Sequence, residues 1–206
     1  MNGVAIIALS EHVDYWNRQG WVDPFSLASF TARQREYAES LNADVYTPQM
    51  VVDGKWEFVG SDRGAAAGAI RDASSADKLH VVPTVQVAGG QARVHVDIRP
   101  AGAIQIPSGR VLVGITEDGL SSNVTAGENQ GRRLPHVAVT RTLIGAGSTS
   151  RGAASGACDA IVPLDPSWAQ DRLRVVVLVQ AKPTGAIVGA ASVPLQANGQ
   201  TRLERR

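Results

Sequence analysis

The chain has 206 residues, enough for one large domain or two small ones, and its 44% hydrophobic content suits a packed core. The formal net charge is +1 and no run of Lys or Arg occurs, so a nucleic-acid or anionic-membrane surface is not indicated. No apolar stretch approaches the roughly 20 residues a membrane-spanning helix needs; the longest runs, "VAIIAL" and "VVVLV", have strand length.

The N-terminus lacks a basic leader and a small-residue cleavage site, so read literally the chain is cytoplasmic. Residues 4–9, "VAIIAL", are continuous, β-branched and apolar, which predicts a strand buried on both faces. The segment "SEHVDYWNRQGWVDPFS" follows, residues 10–26. In a chain poor in aromatics it gathers Tyr15, Trp16, Trp21 and Phe25 with His12, Asp14 and Asp23. "SFTARQREYAESL" predicts a helix with Phe30, Tyr37, Ala38 and Leu41 on one face. Arg33, Arg35, Glu36 and Glu39 lie mostly elsewhere, and Ser26 or Ser29 is the expected cap. "PQMVVDGKWEFVG" predicts a hairpin turning at Asp53-Gly54. "SDRGAAAGAIRDAS" predicts a short helix capped by Ser61 or Asp62.

The grammar changes near residue 79. "VVPTVQVAGGQARVHVDIRP" predicts two alternating strands around Gly89-Gly90, with Val94, Val96 and Ile98 pointing one way and Arg93, His95 and Asp97 the other. "GRVLVGITED", "LPHVAVTRTLI", "GACDAIVPLD", "RLRVVVLVQA" and "GAIVGAASVPL" continue the series. About seven short strands without a long helix predict an antiparallel β-sandwich. "DPSWAQD" is expected to make one helical turn, and the Gly/Ser-rich residues 145–157 a flexible surface loop.

The segments "HVDYWNRQGWVDPFS", "FTARQREYA", "VYTPQMVVDG", "FVGSDR" and "GENQGRRLPHVAVTR" together resemble the bacterial family catalogued as domain of unknown function 1223. The resemblance spans most of the chain. It implies an α/β thioredoxin-like domain, residues 1–78, followed by a β-sandwich domain, residues 79–206, in proteins usually exported. Members of the family usually open with a strand and a helix carrying a Cys-x-x-Cys-Pro type motif; this chain is expected to lack both. Thr47-Pro48 resembles the threonine and cis-proline that stand beside the dithiol in thioredoxin-like folds.

Ligands of open α/β sheets bind beyond the carboxyl ends of parallel strands. That rule and the resemblance give a candidate cleft of His12, Asp14, Tyr15, Trp16, Trp21, Asp23, Thr47, Pro48 and Gln49. His12 and Asp14, two residues apart, point the same way in an extended segment. They read either as an acid–base pair or half a metal site, or as loop caps. The rings read either as a stacking platform or as packing. A secondary loop, Glu128, Asn129 and Arg132 in "GENQGR", reads either as an anion or metal site or as a loop held by side-chain to backbone bonds, with Gly127 and Gly131 at positive φ. It is no phosphate loop, since it lacks the Gly-Lys-Ser/Thr ending. Cys158 is the single cysteine, so no intramolecular disulfide and no Cys-based zinc site can form. His80, His95 and His136 lack ligand spacing, and neither a metal nor a cofactor is expected.

The leading expectation is a non-catalytic binding module for an unknown ligand or protein, with self-association through an exposed sheet edge. The alternative is a thiol–disulfide oxidoreductase whose Cys-x-x-Cys region was lost to a misplaced gene start. A hydrolase or metal enzyme using His12 and Asp14 ranks third.

Overall fold

The computed structural model describes residues 4–195; residues 1–3 and 196–206, the ends of the two expected domains, lie outside the described residues. The chain is mostly β, in several antiparallel sheets.

Residues 4–9 form no strand, contrary to the sequence reading. Ser10 makes one parallel bridge, to Val139, in which Ser10 N–H donates to Ala138 O and Thr140 N–H donates to Ser10 O. Ile7 and Leu9 rest on Leu112, Val176, Leu178 and Ile187, whereas Ile6 is 63% exposed. The run is thus covered on one face only. An apolar, β-branched run favours dry surroundings but does not name the neighbours that supply them.

Helix α1 (Ala28–Leu41) buries Phe30 and Ala38 and half-buries Tyr37 and Leu41, as its spacing predicts. Two expectations fail. Leu27 holds the N-cap position without a side-chain bond, while the Ser26 hydroxyl donates to Asp23 O. Arg33, expected on a solvated face, is buried. Strands β1 (Gln49–Val52) and β2 (Trp56–Val59) form the expected hairpin. Asp53 and Gly54 both sit at positive φ, 49° and 62°, the geometry of a type I′ turn. Helix α2 (Arg63–Ser74) is capped by Asp62, whose carboxylate accepts from Ala65 N–H at 2.9 Å.

Strands β3 (His80–Ala88) and β4 (Gln91–Arg99) turn at Gly89-Gly90 and pair in full register. Then come β5 (Gly109–Glu117), β6 (Leu120–Asn123), β7 (Arg133–His136), β8 (Val139–Thr149), β9 (Gly156–Pro163), β10 (Leu173–Ala181) and β11 (Ile187–Pro194). A four-stranded sheet has the order β11-β10-β5-β8, a three-stranded sheet the order β3-β4-β9, and β6-β7 stand apart as a hairpin. One core joins the two larger sheets. It includes Val94, Val96 and Ile98 from β4, Val111, Val113 and Ile115 from β5, and Val175, Val177 and Val179 from β10. On β4 Arg93 and His95 are exposed, as alternation predicts.

Residues 145–157 are not one loop. β8 continues to Thr149 and β9 begins at Gly156, leaving only residues 150–155 outside strands. The small residues serve close packing: a Cβ on Gly147 would lie 3.0 Å from the Cys158 Cβ. "DPSWAQD" contributes a short 3-10 turn, Gln170–Arg172.

Residues 4–78 attach to the sheets largely through polar groups. Ile187 N–H donates to Asp53 O, and Lys78 Nζ donates to the Asp53 carboxylate. Gly54 touches the β10–β11 connection so closely that a Cβ would fall 2.3 Å from Gly185 O.

Candidate functional site

Of the candidate cleft residues, Trp21 is half-buried, and the others divide into two groups. The first is a surface wall. Trp16 precedes a 3-10 turn, Asn17–Gln19, and its Nε1–H donates to Thr47 Oγ1 at 3.0 Å. The Thr47-Pro48 bond is cis, as the sequence reading expects. Tyr15 lies 5.3 Å from Trp16 between ring centroids, and its hydroxyl donates to Gln34 Oε1. Gln34 Nε2 in turn donates to Gln49 Oε1 and Tyr46 O, and Gln49 Nε2 donates to Glu57. Trp16 is 45% exposed, so this wall holds a large ring in place while leaving much of it wet.

The second group separates His12 from Asp14. Asp14 accepts the Thr31 hydroxyl at 2.6 Å, and its own N–H donates back to Thr31 Oγ1 at 3.1 Å. It is a brace onto α1, not a partner of His12. The expected His12–Asp14 pair therefore does not form, because extended backbone, which the i, i+2 argument assumed, gives way to turns from Asp14 onward.

His12 instead pairs with Asp23, Nδ1 to Oδ2 at 2.6 Å, with both side chains mostly buried. The carboxylate fixes the ring proton on Nδ1. Asp23 also accepts from Phe25 N–H at 2.9 Å. Burial pushes the Asp23 carboxyl up, but these bonds outweigh it and hold it below the ordinary carboxylate value. The His12 ring meets His136 edge-on at 4.9 Å and Phe25 at 5.7 Å, and Phe25 meets His136 at 5.5 Å. His136 Nε2 is hydrogen-bonded to the buried Ser122 hydroxyl at 2.5 Å. Burial, and then His12, hold His136 below the ordinary histidine value. The Phe25 ring also carries the Arg141 guanidinium, 5.3 Å from the ring centroid, and Arg141 lies over Trp168 at 5.1 Å. Arg141 Nε is 3.6 Å from the buried Glu117 carboxylate, whose other oxygen accepts from Ala169 N–H.

A third cluster was not singled out in the sequence. Arg33 Nε donates to Glu11, Nη1 to Gln180 and Nη2 to the Tyr37 hydroxyl. Arg110 donates to the same Gln180 oxygen and to Glu36. Burial raises the Tyr37 hydroxyl, and it outweighs Arg33 in raising the Glu11 carboxyl. These residues line a cavity of about 390 Å³ between α1 and the end of β10. Each of the two arginines has a carboxylate partner, so the cluster reads as a polar joint. Helical periodicity sets Arg33 off the apolar face of α1 and gives no sign of its partner Gln180, which lies 147 residues away.

The "GENQGR" loop abuts the turn that follows Trp16: a Cβ on Gly127 would lie 3.3 Å from Gln19 Oε1. Gly127 and Gly131 are at positive φ, as expected. Backbone bonds hold it, Gly131 N–H to Val124 O and Arg132 N–H to Asn129 O, where side-chain bonds were expected. Among the described residues Glu128, Asn129 and Arg132 are exposed and form no metal cluster.

The family described as "Protein of unknown function (DUF1223)" matches residues 2–180. The chain belongs to the DUF1223 family. It is similar to an Agrobacterium tumefaciens protein whose X-ray structure was determined as a structural-genomics target. That likeness has a TM-score of 0.66 at 25% identity and covers 96% of this chain and 83% of that one. A likeness in fold alone extends to HBP35 of Porphyromonas gingivalis, with TM-score 0.58, 8% identity, and 86% of this chain against 62% of that one. No curated protein matches the chain. Two of the five stretches that carried the DUF1223 resemblance, residues 12–26 and 127–141, meet in space. His12 and Phe25 come from the first, and His136 and Arg141 from the second. The signal for His136 was present within "GENQGRRLPHVAVTR", but its partner lies 124 positions earlier and no spacing rule connects them.

Proposed function

We propose that this DUF1223 chain is a non-catalytic binding module, a thioredoxin-like domain over residues 1–78 joined to a β-sandwich over residues 79–206, and that it takes an extended peptide segment. The observation that carries the binding reading is Trp16, 45% exposed yet pinned by Thr47. A ring fixed in place and left wet offers contact area at little cost in side-chain entropy. Val45 and Met50, on either side of Thr47 in the chain, are also exposed, at 43% and 37%. The β1-β2 sheet has only two strands among the described residues, so β1 has a backbone edge with N–H and C=O groups that an added strand can pair. The contact surface is Tyr15, Trp16, Thr47, Pro48 and Gln49; His12, Asp14 and Asp23 are committed to internal bonds. The two sheets and shared core of the second region support the sandwich reading.

Titration with a ten-residue Val/Thr-rich extended peptide, followed by backbone NMR, tests this. Shifts concentrated at residues 45–52 and weakened by Trp16→Ala are expected. Absence of shifts there at millimolar peptide refutes the reading. A thiol–disulfide exchange activity would need cysteines outside this sequence, since Cys158 is single and burial, with Asp159, pushes its thiol up.

A further inference from the structure

The contact between the two signature stretches is built from groups that titrate. Residues 10–26 bring His12, Asp23 and Phe25; β6 brings Ser122, β7 His136, β8 Arg141 and β5 Glu117. His12 and His136 are in ring contact at 4.9 Å, and both are partly buried. With one carboxylate, Asp23, bonded to His12, the pair has one anion close at hand. Among the described residues the further carboxylates around this cluster are Glu117, beside Arg141, Asp118, which accepts from Ala138 N–H, and Asp165, whose carboxyl Arg141 helps to hold down. A proton on His136 therefore puts a positive charge in ring contact with His12 and one Phe25 ring away from Arg141, while Asp23 is already bonded to His12. In a partly buried site such like charges repel more than they would in water.

We propose that Asp23, His12, His136 and Ser122 form an acid-opened clasp, which holds residues 10–26 on the second region at neutral pH and releases them on mild acidification. Release frees the segment that carries Trp16, so the clasp would govern how firmly the peptide-binding wall is presented; in that consequence alone it rests on the reading above. The sheets themselves have no such cluster in their core: the residues shared between them are apolar. Opening is therefore local, and the second region stays folded. Ser10 and Thr140 mark one end of the docked segment through their paired backbone bonds, and Leu27 N–H, bonded to His12 O at 3.1 Å, marks the other.

Hydrogen exchange on the full chain tests the clasp, with rates corrected for intrinsic exchange. Between about pH 7.5 and about pH 5, protection of the Ser10, Phe25 and Leu27 amides should fall about tenfold relative to β10 amides, because opening lets His136 take up the proton that its folded place disfavours. In His136→Gln, which retains a hydrogen-bonding group but does not titrate, the fall should be under about twofold. No fall in the unmodified chain, or an equal fall in His136→Gln, overturns the proposal. Imidazole NMR of the unmodified chain provides a reading that needs no variant. The His136 ring should take up its proton over the same pH range in which the three amides lose protection. A His136 titration that leaves those amides unchanged overturns the clasp whether or not any peptide binds.

Discussion

Residues 4–78 and 79–195 are held together by different physics. Both hydrophobic clusters draw their buried members from residues 79–195. Residues 4–78 bury four hydrophobic side chains, Phe30, Ala38, Ala69 and Ala73, and three of these are alanines. In place of a core, that region has hydrogen bonds: Asp14 to Thr31, Gln34 to Gln49, Tyr46 to Glu57, and Arg33 to Glu11, Tyr37 and Gln180. A typical hydrogen bond contributes about 1 kcal/mol net, less than the roughly 1.5–3 kcal/mol of a fully buried aliphatic side chain. The comparison teaches that the first region depends on the second for order, while the sheets do not depend on it.

The largest effect should come from the shared core. Ile115 is fully buried, and Ile115→Ala should cost about 4 kcal/mol in urea unfolding, with both regions lost together. Loss of the first region alone would break the comparison. Next is the polar joint. Arg33→Met leaves the Glu11 carboxylate without its partner and takes one donor each from the Gln180 oxygen, which keeps Arg110, and from Tyr37; it should cost about 3 kcal/mol, partly recovered in the double variant with Glu11→Gln. Its effect should appear as faster exchange in α1, with β5 and β10 unchanged. If β5 loosens equally, the two regions are one cooperative unit.

Gly54→Ala should loosen the hairpin's seat on Gly185. The left-handed backbone alone costs about 1 kcal/mol, and the Cβ clash adds to it. Loss of the Ile187 amide's protection reads this directly. Acid unfolding should have two windows. The folded chain holds His136 below its ordinary 6.5, so the unfolded chain binds the proton more readily, and stability falls as pH drops below that value. The lowered Asp23 contributes stability above its ordinary 3.8 that is lost as pH falls through its folded value. His136→Gln should remove the first window and leave the second. The smallest effect has the opposite sign: Leu27→Ser supplies α1 with the cap it lacks and should stabilise by about 0.5–1 kcal/mol.

Local chemistry determined what was legible in the sequence. Asp53-Gly54 stated its hairpin because few residue pairs accept two positive φ angles, and Asp62 stated its helix start because its carboxylate reaches an orphan N–H three residues on. Strands β3, β4 and β9 declared themselves by alternation, since a sheet with one buried face sorts its residues two by two, and β5 and β10, buried on both faces, by continuous apolar runs. Composition declared the single cysteine, and the ordered segments declared the family. Only the tertiary structure decided that "VAIIAL" forms no strand, that Arg33 is buried, that His12 takes Asp23 over Asp14, and that it meets His136. Each of those outcomes depends on a partner distant in sequence or on a turn between neighbours. Local propensity carries a residue's preference for burial or charge, but the partner that satisfies the preference is chosen when the chain closes on itself.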